Sequence, residues 1–221
     1  MNIIKAKDFK PINLSVLLYG SPGMGKTTAL GHLNGRTLII DVDGGANVLA
    51  GAENVDFVRI SNNVSEIEDI IKELRSKCEY DNVCIDSLSE LERSMLSYLG
   101  RTGNNKGVPS LADYNRVDCF LIDWCRRFRS LPANIFFTAW ERYLDVTNPG
   151  GDKVTVIRPL IRDKTVDNLC GLCDIVGRLE VHPETKERFI LLKGNSRKIA
   201  KDRIWKREFC RCEEILPQNK Q

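Results

Sequence analysis

The residues Gly20-Ser21-Pro22-Gly23-Met24-Gly25-Lys26-Thr27 stand at a spacing that phosphate chemistry explains. Glycine, four free positions, glycine, lysine and a hydroxyl residue make a loop that can close around a phosphate chain, its N–H groups turned inward. The helix expected next adds the positive end of its dipole. Lys26 reaches the β- and γ-phosphates, the Thr27 hydroxyl becomes a Mg²⁺ ligand, and Thr28 continues the lining. A second segment, Val83-Cys84-Ile85-Asp86, puts an acid at the end of a buried strand, where an aspartate can hold Mg²⁺ through water. ATP and Mg²⁺ are therefore the expected cofactors.

Attack by water needs a base as well. Ser87, rather than a glutamate, follows Asp86, so that base must come from elsewhere. Asp43, in Ile40-Asp41-Val42-Asp43-Gly44-Gly45, lies just past a strand end, the side on which open α/β sheets hold their ligands. Glu90 is the weaker rival, set within a solvated helix. A plain turn acid before two glycines is the alternative for Asp43.

For these groups to meet, strands must carry them to one edge. Apolar runs at Ser15–Tyr19, Thr37–Asp41, 56–60, Asn82–Asp86 and 134–138 read as strands. Between them fall a short helix to about residue 33, stopped by Gly35, and an amphipathic helix led by an Asn63/Glu66 capping box. A helix through Leu88, Leu91, Met95 and Leu99 closes at Gly100, and another runs from Val117 to Leu131. Past residue 140 the pattern changes to a hairpin turning at Asn148-Pro149-Gly150-Gly151, a short helix near 165–173, and a second hairpin over 175–193. The expected fold is α/β: a mainly parallel sheet flanked by helices, extended by C-terminal antiparallel hairpins. No linker composition divides the chain. One domain is expected, with an N-terminal arm at 1–13, a P-loop core at 14–140, a hairpin extension at 141–212 and a flexible tail at 213–221.

Composition sets outer bounds. With 221 residues, 42% hydrophobic and 29% charged, the chain is of ordinary globular make-up, which excludes wholesale disorder and fibrous repeats. A net charge of +3 neither requires nor forbids nucleic acid. No apolar stretch approaches the ~18 residues of a membrane span, and the N-terminus lacks a signal-peptide core, so a cytoplasmic protein with reduced thiols is expected. Cys170/Cys173 and Cys210/Cys212 offer four thiolates, but the first pair falls on an amphipathic helix and the second spacing is unusual for zinc. Arg126, Arg127 and Arg129 read as a solvated helix face.

The loop, the Ile40–Gly45 segment, Cys84-Ile85-Asp86-Ser87 and Phe136-Phe137-Thr138-Ala139-Trp140-Glu141 occur in the order of RecA-like ATPases. Over roughly residues 16–203 the chain resembles the phage nucleotide-binding ATPases of the RecA-like single-strand annealing group, the fourth Sak type. The resemblance implies a RecA-like P-loop core. Asp43 falls where such proteins carry a catalytic glutamate, one methylene longer. Thr138 falls where RecA has a glutamine that senses the γ-phosphate, and Trp140 replaces a family histidine. Lys201 and Arg203 resemble a K-D-R segment, candidates for completing a neighbouring subunit's ATP site; a solvated basic strand start is the alternative.

The family's two DNA-binding loops correspond here to 101–110 and 141–158, carrying Arg101, Lys106, Arg142, Tyr143, Lys153 and Arg158. Cations and an aromatic on glycine-rich loops suit sequence-neutral single-strand binding. The function so implied is ATP- and Mg²⁺-dependent annealing or recombination on single-stranded DNA. The protein would act as a ring or filament, alongside a single-strand DNA-binding protein in the host cytoplasm. Two other classes stand beside it: an ATP-binding switch with little hydrolysis, and a P-loop small-molecule kinase, which would need a helical lid where hairpins are read instead.

Overall fold

Four apolar runs without polar alternation must be covered on both faces, and they set the architecture. In the computed structural model of the chain, Lys5 and residues 13–60, 64–147 and 150–217 are described. Most of the expected N-terminal arm, Asn63 of the capping box, Asn148-Pro149 of the turn, and the last four residues lie outside them. In chain order the first elements are β1 (Ser15–Tyr19), α1 (Lys26–Leu30), β2 (Thr37–Asp41), β3 (Val55–Arg59), α2 (Val64–Ser76), β4 (Asn82–Asp86), α3 (Leu88–Thr102), α4 (Leu111–Arg129) and β5 (Asn134–Ala139). There follow β6 (Glu141–Thr147), β7 (Lys153–Pro159), α5 (Asp163–Leu172), β8 (Ile175–Val181), β9 (Arg188–Leu191), β10 (Lys201–Asp202) and β11 (Phe209–Arg211).

Six strands lie parallel in the order β3-β2-β4-β5-β1-β8, and β9, β10 and β11 join antiparallel beyond β1. This is the mainly parallel α/β class expected from the sequence, with antiparallel strands from its C-terminal part. Alternate residues serve two cores. Leu17, Ile40, Ile85 and Phe137 pack with α2 to α5, whereas Leu18, Ile39, Cys84 and Phe136 pack with α1 and the C-terminal strands. The β6–β7 hairpin forms a sheet of its own.

Several local expectations change. The strand at 175–181 forms the expected hairpin with β9, but it is also a member of the parallel sheet. It pairs parallel with β1 inside the main sheet, because Ile175 and Val176 are fully buried and need cover on both faces. The tail does not begin at 213: Cys212–Glu214 is a 3₁₀ turn and Ile215 is buried in the core. Helix α1 ends at Leu30, short of residue 33, with Gly31 as its cap. Its dipole is little more than one turn deep, so the loop's own N–H groups carry most of the pull on an anion.

Gly100 does not close α3, which runs on to Thr102. A β-carbon at 100 would stand 2.8 Å from the Gly107 carbonyl and 2.9 Å from Pro109, so the residue is small to let the following loop pack against the helix. Ser110 then caps α4 reciprocally with Asp113. Helices α3 and α4 run antiparallel: Glu92 and Asp118 meet at the same Arg162, while Arg129 at the far end of α4 reaches Ser15 at the start of β1. Their connection, residues 103–110, therefore stands off the C-terminal edge of the sheet, the edge that carries the P-loop. Of the three arginines read as a solvated face, Arg126 and Arg129 are exposed, whereas Arg127 is half-buried. Arg127 donates to both oxygens of Glu68 at 2.7 and 2.8 Å, and Arg129 donates to Ser15 Oγ at 3.1 Å.

Candidate functional site

Gly20 follows the last residue of β1, and the loop it opens turns back through Gly23 (φ 77°) and Gly25 (φ 91°), conformations that favour glycine. Lys26 opens α1 with its side chain folded into the loop, where Nζ donates to the carbonyls of Gly20 and Ser21, both at 3.0 Å. It is buried, and burial lowers its pKa against the pull of Asp86, Asp43 and Glu141. Thr27 Oγ1 donates to Asp86 Oδ2 at 2.6 Å, and Thr138 Oγ1, from the next strand, donates to Asp86 Oδ1. Parallel pairing of β4 with β5 brings these strand ends together. The Asp86–Ser87 peptide is cis. A hydroxyl and a carboxylate oxygen converging beside a buried lysine are the hard donors that Mg²⁺ takes, so Thr27 and Asp86 fit that ion.

Asp43 lies past the end of β2, and its Oδ1 accepts from the Gly45 N–H at 3.0 Å. Partial burial raises its carboxyl pKa, and the neighbouring charge of Asp86 raises it further. The turn that carries it is anchored from below. Arg59 on β3 donates to the buried Asp41 at 3.2 Å and to Asn47 in the 3₁₀ turn Gly45–Leu49. With Lys26, Thr27, Thr28 and Asp86, Asp43 lines a cleft of about 580 Å³. Glu90 does not line it.

Three residues here were not assigned to the site from sequence, although Trp140 and Glu141 fall within the segment compared with RecA-like ATPases. Trp140 and Arg188 also line the cleft. Glu141, almost fully buried, accepts from Ser21 of the loop, from Tyr143 at 2.8 Å and from Arg178 at 2.8 Å. Burial pushes the Glu141 carboxyl up, but these hydrogen bonds outweigh it and hold the pKa below its usual value. Arg178 passes the network to Glu180, which Lys198 also holds. An acid two residues past the end of β5 was the available signal for Glu141. Nothing local marked Arg188, which sits in what reads as a surface hairpin.

The remaining candidates are dispersed. Lys201 pairs across from Val176 near the start of β8, at the edge of the sheet opposite the cleft. It and Arg203 point to the Gly171 carbonyl, at 3.5 and 3.0 Å. Arg101, Lys106 and Lys153 are exposed, and Tyr143 is 58% exposed. Arg142 and Arg158 are tied down instead, to Asp163 and Asp167 of α5. The cysteine pairs lie on opposite faces of the sheet, Cys170 and Cys173 in one core and Cys210 and Cys212 against the other. Among the described residues no cluster of three or more His, Cys, Asp or Glu has the arrangement of a metal site. No described helix is long and apolar enough to cross a membrane.

Beneath the hairpin, Glu92 of α3 is 6% exposed and accepts from the Arg162 N–H at 3.2 Å. Burial raises its pKa from 4.5 to about 7, opposed by that N–H and the Arg162 charge. The folded protein therefore keeps a proton that the unfolded chain releases. The resulting stabilisation is complete below about pH 4.5 and lost as pH rises through about 7. Between those limits wild type should lose roughly 3 kcal/mol relative to Glu92→Gln, read from urea melts across the range. Parallel pH curves for the two proteins would show that Glu92 does not titrate there.

A sequence-family model described as an AAA domain matches residues 12–204. No curated protein matches the sequence. Among solved structures, the chain is similar to a KaiC-like protein from the hyperthermophilic archaeon Pyrococcus horikoshii, at 12% identity and a TM-score of 0.45, covering 84% of this chain and 80% of that one.

Proposed function

Since the chain belongs to the AAA domain family and has the nucleotide-binding core of a P-loop ATPase, we propose that it hydrolyses ATP and couples that cycle to single-stranded DNA. The observation that carries the reading is the meeting of Lys26, Thr27, Asp86 and Asp43 in one cleft. Lys26 would neutralise the charge of the β- and γ-phosphates, and Thr27 and Asp86 would hold Mg²⁺, which when bound adds Lewis-acid withdrawal from the phosphate oxygens. Asp43 would orient an attacking water and take its proton. Thr138, on Asp86, would report the state of the cleft to the strand that leads into β6.

Two connections support the DNA half. The 103–110 turn and the β6–β7 hairpin both leave the P-loop edge, with Lys106 and Lys153 exposed and Tyr143 available for stacking. Arg101 and Lys106 are the stronger phosphate contacts in this reading, since Arg142 and Arg158 already hold carboxylates. Lys201 and Arg203 lie far from their own cleft and hold only the Gly171 carbonyl; in this reading they would complete a neighbour's site, so we read the active form as an oligomer that anneals strands.

The test is ATP turnover with and without single-stranded DNA. Stimulation is expected. The double reversal Lys106→Glu/Lys153→Glu should weaken DNA binding about tenfold or more and flatten its salt dependence by about two phosphate contacts. ATP binding without turnover in either condition would instead leave a nucleotide switch. No DNA binding at low salt would remove the DNA half.

A further inference from the structure

Arg188 opens β9, where it registers with Val181, three residues beyond the Arg178 that registers with Tyr19 at the end of β1. It thus stands above the edge of the sheet, on the flank of the P-loop away from β5, β4 and β2. Its Nη2 lies 3.4 Å from the Gly23 carbonyl, and its Nη1 would be 2.9 Å from a β-carbon on Gly25. Gly25 is required by its φ of 91°, and the arginine tip packs into the space that its missing side chain leaves. The guanidinium rests on the rim of the loop and lines the same cleft as Lys26 and Asp86. Arg178, one strand inward, is held by two carboxylates; among the described residues Arg188 makes no such ion pair.

A planar guanidinium fork without a carboxylate, facing a phosphate loop, matches the paired oxygens of a phosphate. Sheet order decides which phosphate. Thr27, Asp86, Thr138 and Asp43 gather on the flank of β5, β4 and β2, and that hydroxyl–carboxylate set marks the terminal-phosphate end. A polyphosphate laid along the loop from there offers its sugar-proximal end to Arg188. We propose that Arg188 is a nucleotide-binding residue that grips the α- and β-phosphates common to ATP and ADP, setting affinity for the diphosphate without sensing the γ-phosphate. The proposal rests on reading this cleft as an ATP site.

The experiment titrates the full chain, wild type, Arg188→Ala and Arg188→Lys, with fluorescent ATP and fluorescent ADP. The alanine variant should raise both Kd values about tenfold or more, with the ATP/ADP ratio held within about twofold. Lysine should recover only part of the loss, because it cannot donate as a fork. Lys206→Ala, which removes one exposed charge away from the cleft, should change neither Kd. Unchanged affinities in Arg188→Ala, or weakening confined to ATP, would overturn the assignment. Wild type that binds neither nucleotide would overturn the ATP reading with it, and that result is visible before any variant is made.

Discussion

Lys26→Ala is expected to reduce ATP turnover by about 10²–10³-fold, the usual cost of removing a positioned charge donor from a site that stabilises developing anionic charge. The structure places the ammonium inside the loop, folded onto the Gly20 and Ser21 carbonyls, where burial has already lowered its pKa. A buried cation with only carbonyl partners is held by the acids around it, and phosphate oxygens are the stronger partners it lacks. Lys26→Met keeps the aliphatic stem and removes only the charge. If Met and Ala variants lose turnover and fluorescent-ATP affinity alike while their melts stay near wild type, the loss is electrostatic. Turnover preserved in Lys26→Met would refute the phosphate role.

Asp43→Asn is expected to cut kcat by about 10²–10⁴-fold with ATP affinity little changed, the scale of losing a general base. Asparagine is isosteric and its carbonyl can still accept from the Gly45 N–H, so the turn should survive. The direction of the pKa shift adds a second readout. Burial and the Asp86 charge raise the Asp43 carboxyl above 3.8, which makes it a stronger base. It also places the acid limb of the rate profile higher than a free aspartate would. Turnover should fall as acidification protonates Asp43, and the Asn variant should lack that limb. If Asn retains both rate and limb, the base lies elsewhere. Asp43→Glu then asks whether the extra methylene speeds or slows the reaction.

Much of this cleft was legible because its determinants are local. The phosphate loop is eight contiguous residues, and Asp86 ends an apolar run that could only be a buried strand. Asp43 was readable from the strand that delivers it. What escaped was set by register between distant segments. Glu141 reaches Ser21 over 120 residues of chain, and Arg188 reaches Gly23 over 165. The first depends on β5 lying parallel to β1 and the second on β8 doing so, a placement hidden because 175–181 reads as a hairpin arm and nothing local shows that the arm also joins the parallel sheet. Gly100 and Arg127 were misread for the same kind of reason: a glycine stop and a solvated arginine are the ordinary local meanings, and a packed loop and Glu68 override them.

The pairing of β1 with β8 also governs how the chain reaches its native state. Ser15 is bonded to Asp174 across 159 residues, and the strand before the phosphate loop is completed only when that late segment arrives. Such separation gives a high contact order, for which folding is slow. As the chain emerges N-terminus first, β1 has β5 on one side and, on the other, an edge of unpaired backbone N–H and C=O groups between largely apolar side chains. An unprotected strand edge of that kind invites pairing with other chains. Nascent or truncated forms ending before residue 175 would therefore be a hazard in the cell long before they could hold a nucleotide, and a chaperone's attention would fall first on β1.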